Sequence, residues 1–156
     1  MRVQDVMKRE ARFTTPESSL AAAGRTMTEV DCGVLPVVEA DRRVVGVITD
    51  RDICLALTST DSKPSLVPVR QVMSGMARTC HPEHPIEEAL RRMRENGVRR
   101  LPVVDSEGHL KGILSLDDIV LETRSVRGDD FTGPFYLDVV RTLKAIYTRS
   151  EGDQVH

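Results

Sequence analysis

The sequence has no tryptophan, only five other aromatic residues (three phenylalanines and two tyrosines), and three cysteines. Cys32, Cys54 and Cys80 lie far apart and form no Cys-x-x-Cys pair, so the pattern favours reduced structural thiols over a disulfide framework or a metal site. No run approaches the roughly 18 apolar residues of a membrane span, and the N-terminus lacks the apolar stretch of a secretory signal. We therefore expect a soluble, cytoplasmic protein without a membrane partner.

An excess of charge of one sign is also missing. Lysine and arginine number 22 against 24 acidic residues, a net charge of −2, which is too little positive charge to hold a phosphate backbone along its length. We therefore do not expect nucleic acid as the main partner. The 156 residues, 40% of them hydrophobic, correspond to one domain or to two small fused ones with a sizeable core.

An internal repeat organises the chain. At a constant offset of 66, residues 3–55 align without a gap on residues 69–121, and 19 of the 53 positions are identical. The identities include the string LPVV at 35–38 and 101–104 and the glycines Gly46 and Gly112. Two copies are too few for a solenoid, so we expect two similar halves that bury their apolar faces on each other about a pseudo-twofold axis.

Each copy contains the same predicted elements. Apolar residues at helical spacing predict a helix, and two β-branched runs joined by a polar turn then predict two strands, at 35–38 and 44–49 and again at 101–104 and 110–115. Pro85 suits a first helical position, which makes His84 and its counterpart Ser18 the expected N-caps. A second helix is expected to start at Thr49 or Ser115. The fold class is therefore α/β (α+β), with two tandem β-α-β-β-α repeats and a C-terminal helix.

We divide the chain into repeat 1 at 1–58, a polar linker at 59–68, repeat 2 at 69–123 and a tail at 124–156. The tail has no counterpart in either repeat, and its apolar residues fall on one face of a helix at about 134–149. This helix either packs on its own domain or holds a second subunit or another partner.

The repeats resemble a pair of cystathionine β-synthase (CBS) domains, the Bateman module. The resemblance rests on LPVV before the turn and on GVITDRD at 46–52 and GILSLDD at 112–118 after it, and it covers residues 1 to about 123. It implies a regulatory fold whose clefts between the repeats bind adenosine-containing ligands such as AMP, ADP, ATP or S-adenosylmethionine. It also implies a homodimer, because the family often assembles such pairs into flat discs.

The expected nucleotide-binding residues are Gly33, Val34, Thr49, Arg51 and Asp52 in repeat 1, and Val98, Arg99, Arg100, Ser115 and Asp118 in repeat 2. By resemblance, the two aspartates hold ribose, the two hydroxyls lie by the phosphate, and the residues before the LPVV strands line the adenine. The chemistry fits, because a carboxylate accepts from vicinal hydroxyls and a helix N-terminus favours an anion. The same Ser/Thr-x-x-Asp spacing is also a plain helix-capping signal that needs no ligand.

The two expected sites differ in charge. At the offset of 66, Arg99 and Arg100 stand where repeat 1 has Gly33 and Val34. Because arginine binds phosphate through a planar fork of donors, we expect the repeat 2 site to bind phosphorylated nucleotides more tightly. Two further differences act against this expectation, but less strongly: Arg51 partly compensates in repeat 1, and its counterpart Asp117 repels phosphate in repeat 2.

No nucleophile with its base and no pair of carboxylates with a nucleophilic role is visible, and Asp117 with Asp118 is explained by the charge preference of a helix N-terminus. We therefore do not expect an enzyme, and no cofactor is required beyond the regulatory ligand. The favoured function is a stand-alone module that senses adenine nucleotides and signals to an unknown protein. One alternative is a ligand-free scaffold that acts through its repeats and tail helix. A third alternative is a metal-dependent enzyme that uses the HPEHP segment at 81–85.

Overall fold

We analysed a computed structural model of the chain, which describes residues 1–75, 77–123 and 134–152. The helices and strands are α1 (Val3–Val6), α2 (Leu20–Glu29), β1 (Val34–Val38), β2 (Val44–Thr49), α3 (Asp50–Thr60), α4 (Ile86–Asn96), β3 (Arg100–Val104), β4 (Leu110–Ser115), α5 (Leu116–Thr123) and α6 (Pro134–Gly152), with a 3₁₀ turn at Val69–Gln71. The predicted fold class is confirmed. The expected strands are present, and β1 and β3 each begin one residue earlier than predicted.

The chain forms two compact units, and each unit contains segments of both repeats. Unit 1 comprises Met1–Arg9, Arg78–Val104 and the chain from Lys111 onward, whereas unit 2 comprises Glu10–Ala77 and Asp105–Leu110. The repeats therefore exchange their leading segments. Residues 1–9 of repeat 1 pack with repeat 2, and the start of repeat 2 packs with repeat 1.

The sheet of unit 2 is an antiparallel pair, β1 and β2, in which Val34 pairs with Thr49. The first strand expected in each repeat is reduced to a single parallel bridge, Thr14 to Val37 here and Cys80 to Val103 in unit 1. Helices α2 and α3 pack against this sheet over an apolar core. Its fully buried or nearly buried members are Leu20, Ala23, Met27, Leu35, Val37, Ile48 and Val69.

The expected N-caps are each wrong by one residue. Helix α2 begins after Ser19, whose hydroxyl oxygen accepts from the Ala22 N–H at 3.2 Å, while the adjacent Ser18 hydroxyl bonds to Thr15. Helix α4 begins at Ile86, because Pro85 has an extended backbone (ψ 150°) and so stands at the N-cap itself. His84 lies in the preceding turn, where its Nδ1 accepts from the His81 N–H at 3.3 Å.

Each exchanged segment lies directly against a glycine of the receiving strand. Ser74 pairs with Val47 of β2 in unit 2, and Lys8 pairs with Ile113 of β4 in unit 1. A Cβ atom added to Gly112 would lie 2.5 Å from the Lys8 carbonyl oxygen, and one added to Gly46 would meet the Ser74 carbonyl oxygen in the same way. Glycine is needed at both positions because another backbone approaches closely.

Helix α6 packs on α4 and α5 of unit 1. Val139 is buried, Leu143 and Ile146 pack against the unit 1 core, and the Thr142 hydroxyl donates to the Leu90 carbonyl oxygen at 3.4 Å. The described part of the tail helix therefore packs on its own domain, as the first of the two expectations had it.

Candidate functional site

The same local arrangement occurs at the N-termini of α3 and α5. In each unit the second strand ends on a hydroxyl residue, Thr49 or Ser115, and a helix begins at the next residue. In unit 2, the first N–H of α3, that of Asp50, donates to the carbonyl of Gly33, just before β1, at 3.0 Å. In unit 1, the first N–H of α5, that of Leu116, donates to the carbonyl of Arg99, just before β3, at 2.9 Å. The expected site residues of each repeat are therefore brought together.

In unit 2, Thr49 and Asp52 form a reciprocal capping box. The Thr49 hydroxyl oxygen accepts from the Asp52 N–H at 3.1 Å, and Asp52 Oδ2 accepts from the Thr49 N–H at 2.9 Å. The capping alternative is thus satisfied without a ligand. The capping bonds involve only Oδ2 of the Asp52 carboxylate, and the Arg51 side chain beside it is exposed.

In unit 1, Ser115 and Asp118 make the equivalent cap with one additional bond between their side chains. The Ser115 hydroxyl accepts from the Asp118 N–H at 3.0 Å and donates to Asp118 Oδ2 at 2.5 Å. Asp118 Oδ2 also accepts from the Ser115 N–H at 3.3 Å. Both side chains are substantially buried, so this carboxylate is held firmly at the start of α5.

Lys8 is a member of this site that the sequence did not indicate. Its Nζ lies 3.1 Å from Asp118 Oδ1, and its side chain is 71% exposed, so the ammonium can move without disturbing the core. Lys8 reaches Asp118 because its backbone pairs with Ile113 of β4. The counterpart of Lys8 at the offset of 66 is Ser74, so unit 2 has an uncharged side chain at this position.

The predicted arginines lie in different settings. Arg100 begins β3, and its guanidinium lies 3.9 Å from the Asp117 carboxylate, which is 73% exposed. The two opposing charges expected from the sequence therefore neutralise each other in part, while Arg99 places its carbonyl at the α5 N-terminus. Val98 packs against the unit 1 core, so its side chain has a structural role, and Val34 lies at the start of β1 beside Thr49.

Asp50 is a second residue that the sequence did not indicate. Its carboxylate lies directly over Gly33, where an added Cβ would lie 2.7 Å from Asp50 Oδ2. Repeat 2 has Arg99 and the buried Leu116 at the equivalent positions. At these two positions, the unit 2 site therefore has a glycine and an acidic residue, whereas the unit 1 site has a basic and an apolar residue.

The HPEHP segment at 81–85 brings its two histidines together. His81 and His84 make an edge-to-face ring contact at 4.9 Å, but no group of three or more potential ligands occurs among the described residues. Burial, with a smaller contribution from the positive charge of Arg92, lowers the pKa of His84. None of the helices in the described ranges is long and apolar enough to cross a membrane.

Two tandem repeats, each ending a strand on a hydroxyl and starting a helix with an aspartate three residues later, define a paired-repeat domain with two equivalent helix N-terminal sites. The model of the CBS domain family matches residues 3–59 and 69–124, so the chain belongs to the CBS domain family and carries two copies of its domain.

Similar proteins include both curated relatives and solved structures. The CBS domain-containing protein YhcV of Bacillus subtilis is 32% identical over 79% of this chain and 86% of its own length. The protein MK0525 of Methanopyrus kandleri is 30% identical over 76% of this chain, which spans only 60% of its length. The structure of CBSX2, a CBS-pair protein from Arabidopsis thaliana, in complex with AMP is 28% identical with a TM-score of 0.70, covering 80% of this chain and 97% of that one.

Proposed function

We propose that this chain is a regulatory module that binds an adenosine-containing ligand at the N-termini of α3 and α5 and passes the result to a partner protein. The observation that carries the proposal is the carboxylate and hydroxyl pair that both units present at a helix N-terminus, Thr49 with Asp52 and Ser115 with Asp118. The AMP complex of CBSX2 supports AMP as the first ligand to test. We do not assign a reaction to the chain, and a cytoplasmic location remains part of the proposal.

In this proposal each aspartate binds the ribose. A carboxylate oxygen that is free of the cap can accept from a ribose hydroxyl, while Oδ2 continues to cap the helix. The phosphate lies by Thr49 or Ser115, where the helix N-terminus favours negative charge. The chain entering each first strand, Gly33 and Val34 or Val98 to Arg100, borders the adenine.

Unit 1 is the better site for a phosphorylated ligand. A ribose hydroxyl that replaces Lys8 at Asp118 Oδ1 releases the ammonium toward the phosphate. Arg99 and Arg100, next to each other in the sequence, add positive charge, which Asp117 offsets only in part at Arg100. Unit 2 has Ser74, Gly33 and Val34 at these positions and the Asp50 carboxylate besides. We therefore assign the tighter binding of AMP, ADP or ATP to unit 1, and a weaker or less charged adenosine ligand to unit 2.

A thermal-shift panel of adenosine, AMP, ADP, ATP and S-adenosylmethionine tests the proposal. A ligand present at about 100 times its Kd adds about 2.7 kcal/mol, which corresponds to a rise in Tm of about 5 to 10 °C for a domain of this size. GMP and inorganic phosphate are the matched controls for the base and for a bare anion. A rise with the adenosine compounds and none with the controls is expected.

The competing proposal is a ligand-free scaffold. The completed capping boxes favour it, because Thr49 with Asp52 and Ser115 with Asp118 stabilise their helices without any ligand. Absence of a shift with every adenosine compound would put this alternative first.

We also propose that the protein is a homodimer. Large apolar side chains are exposed on three helices: Leu55 on α3, Leu121 on α5, and Leu137 and Tyr147 on α6. Light scattering after size exclusion is expected to give twice the chain mass. The double variant Leu55→Lys and Leu121→Lys should shift the mass toward that of the monomer, and a wild-type monomer at micromolar concentration would overturn the proposal.

A further inference from the structure

The N-terminal segment, residues 1–9, is bound in unit 1 by the HPEHP segment. The Val3 N–H donates to the His84 carbonyl oxygen at 2.9 Å. The Gln4 N–H donates to the Pro82 carbonyl oxygen, also at 2.9 Å. Val3 is fully buried in the unit 1 core. The HPEHP segment therefore anchors the part of the chain that brings Lys8 to β4.

Unit 2 contains the same docking arrangement, related by the offset of 66. The Val69 N–H donates to the Ser18 carbonyl oxygen at 2.8 Å, at the start of the second exchanged segment. The Arg70 N–H donates to the Pro16 carbonyl oxygen at 3.0 Å. Each unit thus has a turn whose two carbonyl groups bind the leading segment of the other repeat, and the two turns can be compared directly.

The two turns are closed by different side chains. Both have the same backbone bond of 3.1 Å, from the Ser18 N–H to the Thr15 carbonyl and from the His84 N–H to the His81 carbonyl. In unit 2 the Thr15 and Ser18 hydroxyl oxygens are 2.9 Å apart and share a hydrogen bond. In unit 1 the His84 Nδ1 accepts from the His81 N–H at 3.3 Å. Because Nδ1 accepts only while it carries no proton, the unit 1 turn is closed by a group that titrates near neutral pH.

The surroundings of His84 favour its neutral form. Burial, with the charges of Arg92 and His81, lowers the pKa of His84. Glu88 acts in the opposite direction, but bonds from Arg91 and Arg92 occupy its carboxylate and lower its own pKa to about 2. The other charged groups of the turn and of the segment docked on it are Glu83, the Met1 amino group, Arg2 and Asp5. The fixed guanidinium of Arg92 therefore opposes a second positive charge at the turn.

We propose that His84 is a pH-sensitive switch for the N-terminal segment: its neutral ring closes the turn that binds residues 1–4, and its protonation loosens their binding. A protonated Nδ1 cannot accept from the His81 N–H, and the new charge lies near Arg92. When the turn opens, His84 returns to an ordinary aqueous environment and binds a proton more readily. Opening is therefore favoured as the pH falls below about 6.5.

The switch acts on the unit 1 site through Lys8. The N-terminal segment has a second attachment at β4, where the backbones of Lys8 and Ile113 exchange two hydrogen bonds of 2.9 Å. Two attachments of one short segment strengthen each other, because the loss of one lowers the effective concentration at the other. Opening of the turn therefore makes it easier for Lys8 to leave Asp118. The effect on nucleotide binding rests on the proposed function of unit 1, whereas the switch itself does not.

Amide hydrogen exchange followed by NMR tests the switch without a ligand. Protection factors correct for the intrinsic pH dependence of exchange, and we compare them between about pH 7.5 and 5.5. Those of Val3 and Gln4 should fall severalfold, and by at most about tenfold per pH unit for one linked proton. The matched amides of Val69 and Arg70 should change less than about twofold. No fall at Val3 and Gln4, or equal falls at both turns, would overturn the proposal.

The amides inside α4 show whether the opening is local. They exchange only when unit 1 opens more widely, so their protection should exceed that of Val3 and Gln4 at both pH values. Equal protection in α4 and in the N-terminal segment would mean that the segment leaves only when the unit unfolds. That result would overturn a switch at the turn.

A side-chain exchange between the two turns locates the effect. The double variant His81→Thr and His84→Ser gives unit 1 the side chains that close the same turn in unit 2, so it is expected to fold. It should remove the pH dependence of protection at the N-terminal segment. The matched control is His109→Asn, which removes a histidine of unit 2 and should leave that dependence within about twofold. A pH dependence that persists in the double variant would overturn the proposal.

AMP binding at two pH values distinguishes failure of the switch from failure of the proposed function. Between about pH 7.5 and 5.5, the Kd of AMP should rise severalfold more in the wild type than in the His81→Thr and His84→Ser variant. The titration of the AMP phosphate cancels in this comparison, because both proteins meet the same ligand. Absence of AMP binding at either pH would contradict the proposed function, and the exchange data would still decide the switch. AMP binding with the same pH dependence in both proteins would overturn the link to Lys8.

Discussion

The Lys8 ammonium lies 3.1 Å from the Asp118 carboxylate, although the two residues belong to different repeats. Repeat 1 supplies this cation because its first nine residues pack in unit 1, with the Lys8 backbone paired to Ile113. The unit 1 site thus combines a carboxylate and a hydroxyl from repeat 2 with the exposed ammonium group of Lys8 from repeat 1. At the equivalent place unit 2 has Ser74, so the duplication has produced two sites of different charge.

Lys8 should affect phosphate recognition specifically. We expect Lys8→Ala to weaken AMP binding at unit 1 by about tenfold, the value of one charge-assisted contact, and to leave adenosine binding nearly unchanged. Ser74→Lys, which places a lysine at the equivalent position of unit 2, should strengthen AMP binding there. Isothermal titration of AMP and of adenosine into both variants measures the two affinities. Equal losses for AMP and adenosine in Lys8→Ala would contradict a role in phosphate binding.

The close approach of the exchanged segments predicts a pattern of glycine substitutions. Gly46→Ala and Gly112→Ala should each lower the free energy of unfolding by about 1 to 3 kcal/mol, because the added methyl group meets a carbonyl oxygen of the exchanged segment. Gly24→Ala is the matched control. Its methyl group meets open space within a helix, so it should raise stability by about 0.5 to 1 kcal/mol. Urea unfolding of the three variants tests the pattern, and similar losses in all three would contradict it.

His84 should make stability depend on pH. Burial, Arg92 and His81 lower its pKa in the folded chain below the ordinary value of 6.5, and the His81 N–H bonds to the Nδ1 lone pair. As the pH falls through about 6.5, the unfolded chain therefore binds the proton first, so the free energy of unfolding decreases.

The variant His84→Asn keeps an acceptor for the His81 N–H and removes the titrating group. Its free energy of unfolding should change less than that of the wild type between about pH 7.5 and 5.5. Denaturant unfolding across this range measures both curves. Parallel curves for the two proteins would exclude His84 as the cause.

The three cysteines should differ in reactivity. Cys80 is fully buried, and burial raises its thiol pKa to about 12 despite the nearby charge of Arg92, whereas Cys54 is exposed. Because the thiolate is the reactive form, iodoacetamide should modify Cys54 first, Cys32 more slowly, and Cys80 only when the chain unfolds. Peptide mass spectrometry of timed samples reads the order, and labelling of Cys80 at the rate of Cys54 would contradict the burial.

The sequence predicted those parts of the fold that depend on local patterns. The β-branched runs gave four strands to within one residue, and the Ser/Thr-x-x-Asp strings placed the starts of α3 and α5 one residue early, at Thr49 and Ser115 instead of Asp50 and Leu116. The caps of α2 and α4 were wrong by one residue, because Ser18 and Ser19 are adjacent candidates and Pro85 can stand either inside a helix or at its N-cap.

The remaining features depend on contacts distant in sequence. Nothing near Lys8 indicates that residues 1–9 pack with repeat 2, so its pairing with Asp118 could not be read from repeat 1 alone. The alignment did contain one usable signal, since Gly33 and Asp50 are replaced together by Arg99 and Leu116. The carboxylate of Asp50 occupies the space that the missing Gly33 side chain leaves.

The most direct test of the central proposal is isothermal titration of AMP into the wild type, Asp52→Ala and Asp118→Ala. We predict a tighter binding event that Asp118→Ala removes and Asp52→Ala leaves intact, with Arg100→Ala weakening the same event. Circular dichroism confirms that each variant is folded, since each aspartate also caps a helix. Loss of the tighter event in Asp52→Ala alone would reverse the assignment of the two sites, and unchanged AMP binding in both aspartate variants would contradict the proposal that these helix N-termini bind the nucleotide.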